Sequence, residues 1–264
     1  MNIPKLLSLC KPKTTIPDEK VFIVSHQLTE LHFNLIIHEL KQIVHDEQMG
    51  DSIFLSKLKR CVIQFDSISA YFANIPQIIE KNQFLSFRDI LEPSSGFQSF
   101  QFRVIELLST ELINLSRQHQ EQNLQSGDFL HNIYWKSGAA GSDGVPTRTL
   151  TMFESKWSGE LNLLAKENSS KNLNAIYTKR YQSSSLFPEL TNWMKAFDFV
   201  VNHTWRFIHL KIAAHYLGQD PHQEGTGGTN WRTYLSPSRQ PIIFFPQLWT
   251  TEELSNWRDV NFSL

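Results

Sequence analysis

The run Val21 to Leu40, VFIVSHQLTELHFNLIIHEL, holds helical spacing of its apolar residues without a single proline or glycine. Phe22, His26, Phe33, Ile37 and Leu40 fall on one broad face, the i, i+4, i+7 pattern of an amphipathic helix. Such a stripe must be buried against other elements, so it sets the class of the fold. Pro17-Asp18-Glu19 marks its start, because proline fits where the backbone N–H is unused and acids favour the positive end of the helix dipole. The helix is expected to run to about His45. It also carries three histidines, at positions 26, 32 and 38. A titratable ring on an apolar helix needs a partner or a task, which the rest of the chain has to supply.

The same periodicity continues. A second helical stretch is expected over roughly Leu55 to Lys81, with Phe65, Ile68, Tyr71 and Phe72 inward. LEPSSG (91–96) breaks the chain, and SGFQSFQFRVIELLSTELINL (95–115) predicts a third long helix entered through a serine cap. KSGAAGSDGVPTRT (136–149) reads as a loop, and Phe153 to Glu167 as helix. A fourth long helix is expected from about Pro188 to Leu217, ended by Gly218 and followed by the glycine-rich loop QDPHQEGTGGTNW (219–231). Residues 232–264 are aromatic and mixed, and only QPIIFF (240–245) hints at extended chain. With strand alternation scarce and no internal repeat, the pattern predicts an all-α helical bundle.

Several function classes are disfavoured. A formal net charge of -1 with no long basic block argues against nucleic acid as the main partner. Two cysteines, Cys10 and Cys61, form no disulfide framework and no metal spacing, which fits a reducing cytosol. The apolar run in MNIPKLLSLCKPK is too short for a signal peptide, and no uncharged run reaches the roughly 18 residues that a membrane span needs. A cytoplasmic chain that binds neither membrane nor nucleic acid is expected. Its 264 residues suit one large domain or two small ones, and its 19 Phe and 7 Trp can line a core or a pocket for a flat ligand.

Common catalytic motifs are missing. His38-Glu39 is followed by Leu-Lys-Gln, so there is no HExxH, and His32 and His38 lie six apart, off a common face. No G-x-S-x-G elbow occurs. GTGG (225–228) is neither a Walker A loop nor a GxGxxG fingerprint, and a plain flexible loop is an equal reading. His26 has Phe22 one turn back and Glu30 one turn on; His209, in NHTWRFIHLKIAAHYLG, has Trp205 one turn before it. Singly, such residues are more often hydrogen-bonded core histidines than ligands. Two inward histidines on separate long helices can, however, sandwich a flat metallocofactor, one binding iron axially and the other facing the bound gas or substrate.

Longer motifs point further. FIVSHQLTEL (22–31) resembles the FIxxHQxxEL signature of the heme-dependent tryptophan 2,3-dioxygenases. FRDILEPSSGFQSFQFR (87–103) resembles their FREYLSPASGFQSxQFR segment, WRFIH (205–209) their WRxxH segment, and GTGGTNWRTYL (225–235) their GTGGSSGYHYL loop. LLSLCKPKTTIPDEKVF (6–22) is similar to their LLSLQ-x-P lead-in. The ordered set covers nearly the whole chain and is weakest from about 120 to 187. The resemblance implies a single oxygenase domain over 1–264, an all-α bundle enclosing a b-type heme (iron protoporphyrin IX), and assembly as a homotetramer or homodimer. It implies His209 as the proximal ligand to the heme iron, His26 as the distal histidine beside the indole nitrogen, and Ser95 near the heme edge. It further implies that Phe22 and Phe84 line the substrate pocket, that Arg88 holds the substrate carboxylate, and that Thr226 contacts its ammonium and carboxylate. The implied reaction adds dioxygen across the indole C2–C3 bond of L-tryptophan or a close derivative, giving an N-formylkynurenine-type product.

Three departures stand out. The family opens with a YGxYL segment whose tyrosines help close the site, whereas this chain begins at Met1-Asn2-Ile3, so one wall is expected to be missing or to come from elsewhere. The family's ELWFKQ reads ELHFNL, placing His32 and Asn34 where it has tryptophan and lysine. After GTGG the chain reads TNWRTYL, and the loop sits about three residues further from His209, with Trp231 and Arg232 placed to reshape it. All three changes are expected on the substrate side. They keep open two alternatives, a heme monooxygenase hydroxylating a modified indole and a heme-binding sensor without turnover.

Overall fold

The computed structural model describes residues 2–46, 48–91, 98–116, 130, 132–138, 145–180, 184–185, 187–218, 224–225, 230–236 and 242–258. Its helices are α1 (Ile3–Leu7), α2 (Pro17–His45), α3 (Asp51–Ala73), α4 (Ile75–Ile78), α5 (Lys81–Phe87), α6 (Phe100–Ser109) and α7 (Tyr134–Gly138). They continue with α8 (Arg148–Glu167), α9 (Leu173–Arg180), α10 (Phe187–Phe199), α11 (Arg206–Leu217), α12 (Trp231–Tyr234) and α13 (Thr251–Arg258). Among the described residues no strand forms; a lone bridge joins Ser116 and Ile133. The architecture is all-α, and no helix among these residues is long and apolar enough to cross a membrane.

The first long helix spans Pro17–His45, with the proline in its first turn as expected. It packs on α3 and α6 through Phe33, Ile36, Ile37, Leu40 and Ile43, all buried. Phe33 meets Phe65 at 5.6 Å, Phe102 at 5.5 Å and Trp205 at 5.7 Å between ring centroids, and Phe65 meets Phe197 of α10 at 6.0 Å. Each such side chain removed from water contributes about 1.5–3 kcal/mol, so this four-helix seam is the main source of cohesion. At its outer edge Lys57 bonds Glu39 at 2.9 Å.

Four expectations need correction. The second helix stops at Ala73, not near Lys81, because Pro76 cannot continue the hydrogen-bond ladder and starts a new short helix instead. The third is confined to Phe100–Ser109 by Ser99, which accepts from the Phe102 N–H at 3.1 Å, and by extended backbone at Thr110. The fourth is interrupted by a π-helical turn at Val200–Trp205. Its end is as expected: any side chain at position 218 would sit 2.3 Å from the carbonyl oxygen of Ala214, which only glycine avoids. Finally, Ile242 to Phe245 pair with no strand; Asp198 of α10 accepts from the N–H groups of Phe244 (2.9 Å) and Phe245 (3.1 Å) and from Trp249 Nε1 (3.0 Å). A buried carboxylate thus takes the donors that a ladder would have used.

Candidate functional site

Two imidazoles from distant parts of the chain share one aromatic neighbour. His26 of α2 lies with its ring 4.1 Å from Phe22 and 5.6 Å from Phe72. His209 of α11 lies 4.3 Å from Trp205 and 5.1 Å from Phe72. In each, Nδ1 donates one turn back along its own helix, to the Phe22 carbonyl at 2.7 Å and the Trp205 carbonyl at 2.9 Å. A carbonyl only accepts, so both rings hold their proton on Nδ1 and present Nε2 as a lone pair. Neither Nε2 has a hydrogen-bond partner among the described residues.

Burial is the main electrostatic influence here. It lowers the pKa of His209 to about 4, against the opposing pull of the Trp205 carbonyl, and a charge on nearby His26 would lower it further. Burial lowers His26 as well. Both rings are therefore neutral at ordinary pH, the form that ligates a metal or accepts a proton. Although deep among protein atoms, each keeps part of its surface open, as do Phe22, Ile208 and Ile212. These groups are thus not sealed within the core.

The π turn places one of them. Val200–Trp205 leads directly into α11, and its last residue supplies the carbonyl that fixes His209. A π turn inserts a residue into the helical register and so re-aims everything after it.

Across from His26, α5 brings Phe84 to 5.9 Å and Phe87 to 5.8 Å from Phe22, and Phe84 to 4.5 Å from Tyr216. Arg88 follows directly, in a 3-10 turn, and is 8% exposed. Its Nη2 donates to the Glu224 carbonyl at 2.9 Å. Its buried Nε has no hydrogen-bond partner among the described residues. The exposed Asp89 carboxylate stands 3.8 Å from that nitrogen, an ion-pair contact too long for a hydrogen bond. A desolvated guanidinium with one edge unsatisfied is built to receive a carboxylate. Glu224 and Gly225 lie within the glycine-rich stretch; Thr226 and Ser95 lie outside the described residues.

Sequence reasoning missed two features. Phe72 is evident as a core residue, but its place between the histidines depends on how α3 crosses α2 and α11. The second is a polar cluster of the buried Arg103, Glu106, Tyr134 and Arg206 with the half-buried Tyr234; the FQSFQFR and WRFIH motifs contain both of its arginines. One expectation also falls. His32 donates to Gln64 Oε1 of α3 at 2.7 Å, and the exposed Asn34 donates to Gln101 Oε1 of α6 at 3.1 Å. These substitutions tie α2 to its neighbours and take no part in the ring contacts of His26.

The donor set fits a heme. One neutral imidazole offers a lone pair with its other nitrogen anchored, as iron ligands require, a second imidazole is in reach, and the walls are aromatic.

The comparisons with known proteins agree. Residues 1–130 match the model of the tryptophan 2,3-dioxygenase family. The tryptophan 2,3-dioxygenase of Herpetosiphon aurantiacus is 28% identical, covering 94% of this chain and 94% of its own. Those of Bacillus thuringiensis and a Bradyrhizobium species are each 28% identical, covering 94% of this chain and 88% of their own. Over nearly its whole length, then, this helical chain is similar to the tryptophan 2,3-dioxygenases.

Proposed function

We propose that the protein is a heme-dependent dioxygenase that converts L-tryptophan to N-formylkynurenine. The observation that supports this best is the pair of Nδ1-anchored imidazoles, His26 and His209, each with an Nε2 that has no partner among the described residues. Heme b, held through His209 Nε2, would supply the binding and activation of dioxygen.

The protein's own residues supply pose and environment. His26 Nε2 accepts from the indole N–H and so orients the ring; its neutral state suits an acceptor and not an obligatory strong base. Phe22 and Phe84 pack against the indole, and their apolar surfaces exclude water. Arg88 pairs its unsatisfied edge with the substrate carboxylate while Nη2 keeps the Glu224 carbonyl. Ser95 at the heme edge and Thr226 at the amino-acid head complete the set by motif. The same reading takes the chain as one oxygenase domain over 1–264, cytoplasmic, acting as a homotetramer or homodimer.

The test is turnover by reduced, hemin-loaded protein with L-tryptophan in air. N-formylkynurenine, heavier than substrate by both atoms of dioxygen, is the expected product. A product heavier by one oxygen atom would move the assignment to hydroxylation, and a Soret shift without product would leave a binding role.

A further inference from the structure

Two buried arginines hold the two ends of one segment. Arg88 donates to the carbonyl of Glu224, immediately before Gly225. At the far end Arg206 donates from Nη2 to the carbonyl of Tyr234 at 2.7 Å. Arg206 opens α11, three residues before His209, and Tyr234 closes α12. The helix that carries His209 is therefore bonded directly to the exit stem of the glycine-rich stretch.

Arg206 sits in a fixed surround. Arg103 and Glu106, one turn apart on α6, stand 3.0 Å from each other, and both are buried. The Tyr134 hydroxyl accepts from Arg103 at 3.0 Å and donates to Glu106. The Tyr134 ring lies 5.9 Å from the Arg206 guanidinium and stacks on Tyr234 at 6.4 Å. Burial raises the pKa of the Tyr234 hydroxyl overall, against the charge of nearby Arg103, which favours its ionised form. Burying guanidinium groups is costly unless their geometry is specified, and a planar fork held by rings and carboxylate points its N–H groups in set directions. Here one of those directions is the Tyr234 carbonyl.

We propose that Arg206 is a positioning residue that locks the stem Trp231–Ser236 to the His209 helix, so that this stem keeps a fixed place relative to Arg88 and the substrate's amino-acid head. This deepens the tryptophan reading and rests on it for the identity of the substrate. The mechanical part stands on the two arginine–carbonyl bonds alone.

The experiment compares wild type, Arg206→Gln and Arg206→Lys as hemin-loaded full chains. Three quantities are read: bound hemin, KM and kcat for L-tryptophan, and amide hydrogen exchange over residues 230–236 against α3. Both variants should keep the wild-type Soret band. In the glutamine variant KM should rise on the order of tenfold, the size of one lost charge-assisted hydrogen bond, with kcat changed less. The Tyr234 and Leu235 amides, which bond the Asn230 and Trp231 carbonyls, should exchange faster while α3 stays protected. Lysine should fall between, since it keeps the charge and loses the fork. Wild-type KM together with wild-type exchange in the stem overturns the proposal. So does faster exchange spread through α2, α3 and α6 with loss of hemin, which would mark a general core residue. If the glutamine variant does not fold, the lysine variant decides by the same readouts. A wild type that leaves tryptophan unchanged defeats the substrate assignment, and the exchange data still judge the lock.

Discussion

Phe72 stacks on His209 with ring centroids 5.1 Å apart and planes 20° from parallel. Its edge meets His26 at 5.6 Å, so a single α3 side chain sets the spacing of both imidazoles. Phe72→Ala should therefore cost stability and site geometry together. Phenylalanine truncation in a packed core costs about 3–5 kcal/mol, to be read as a lower urea midpoint, and hemin should dissociate faster. A variant with wild-type midpoint and hemin retention would show that the ring is not the spacer.

His209→Ala removes the lone pair on the α11 side. The purified variant should lose most of its Soret absorbance, and added imidazole should restore part of it by filling the vacated position. Retention of full hemin by the variant would overturn the axial assignment.

Arg88→Ala should act on the substrate's head group. Losing a buried charge pair costs about 2–5 kcal/mol, so KM for L-tryptophan should rise steeply while an indole lacking the carboxylate is bound as before. The two ligands are compared by titrating the Soret band. Equal weakening for both would assign Arg88 to folding and not to recognition.

Glu19, at the start of α2, gives a pH prediction. Burial raises its pKa, but the N–H groups of Lys13 and Thr14, each at 2.7 Å, and the Thr14 hydroxyl lower it more, so the net shift is downward. A depressed folded-state pKa means stability that is present above the unfolded value, about 4.3, and lost as pH falls through the folded value. Glu19→Gln should be less stable than wild type by about 1 kcal/mol at pH 7, and the gap should close below about pH 4. Urea denaturation at the two pH values checks this.

Much of this was legible in the residues. The span Pro17–His45 follows from its periodicity and its proline start, both local properties. The π turn was invisible because Val-Val-Asn-His-Thr-Trp contains no helix breaker; its cause lies in packing. Ile242 to Phe245 look like a strand only until Asp198, more than 40 residues earlier, takes their N–H groups. The motifs marked His26, His209 and Arg88 because they are short and ordered. They could not show that Arg88 reaches the Glu224 carbonyl or that Arg206 reaches Tyr234, since both contacts depend on how remote segments cross.

The wide turn at Val200–Trp205 also constrains how this gene can change. Loss of one codon there would leave an ordinary helix of nearly the same length and a core still able to pack. Because the wide turn absorbs its extra residue, the later side chains, the imidazole at 209 among them, would keep their bearing; the same loss within Arg206–Ile208 would instead swing that imidazole by about 100°. The helix can thus shed a residue inside this turn but not just beyond it.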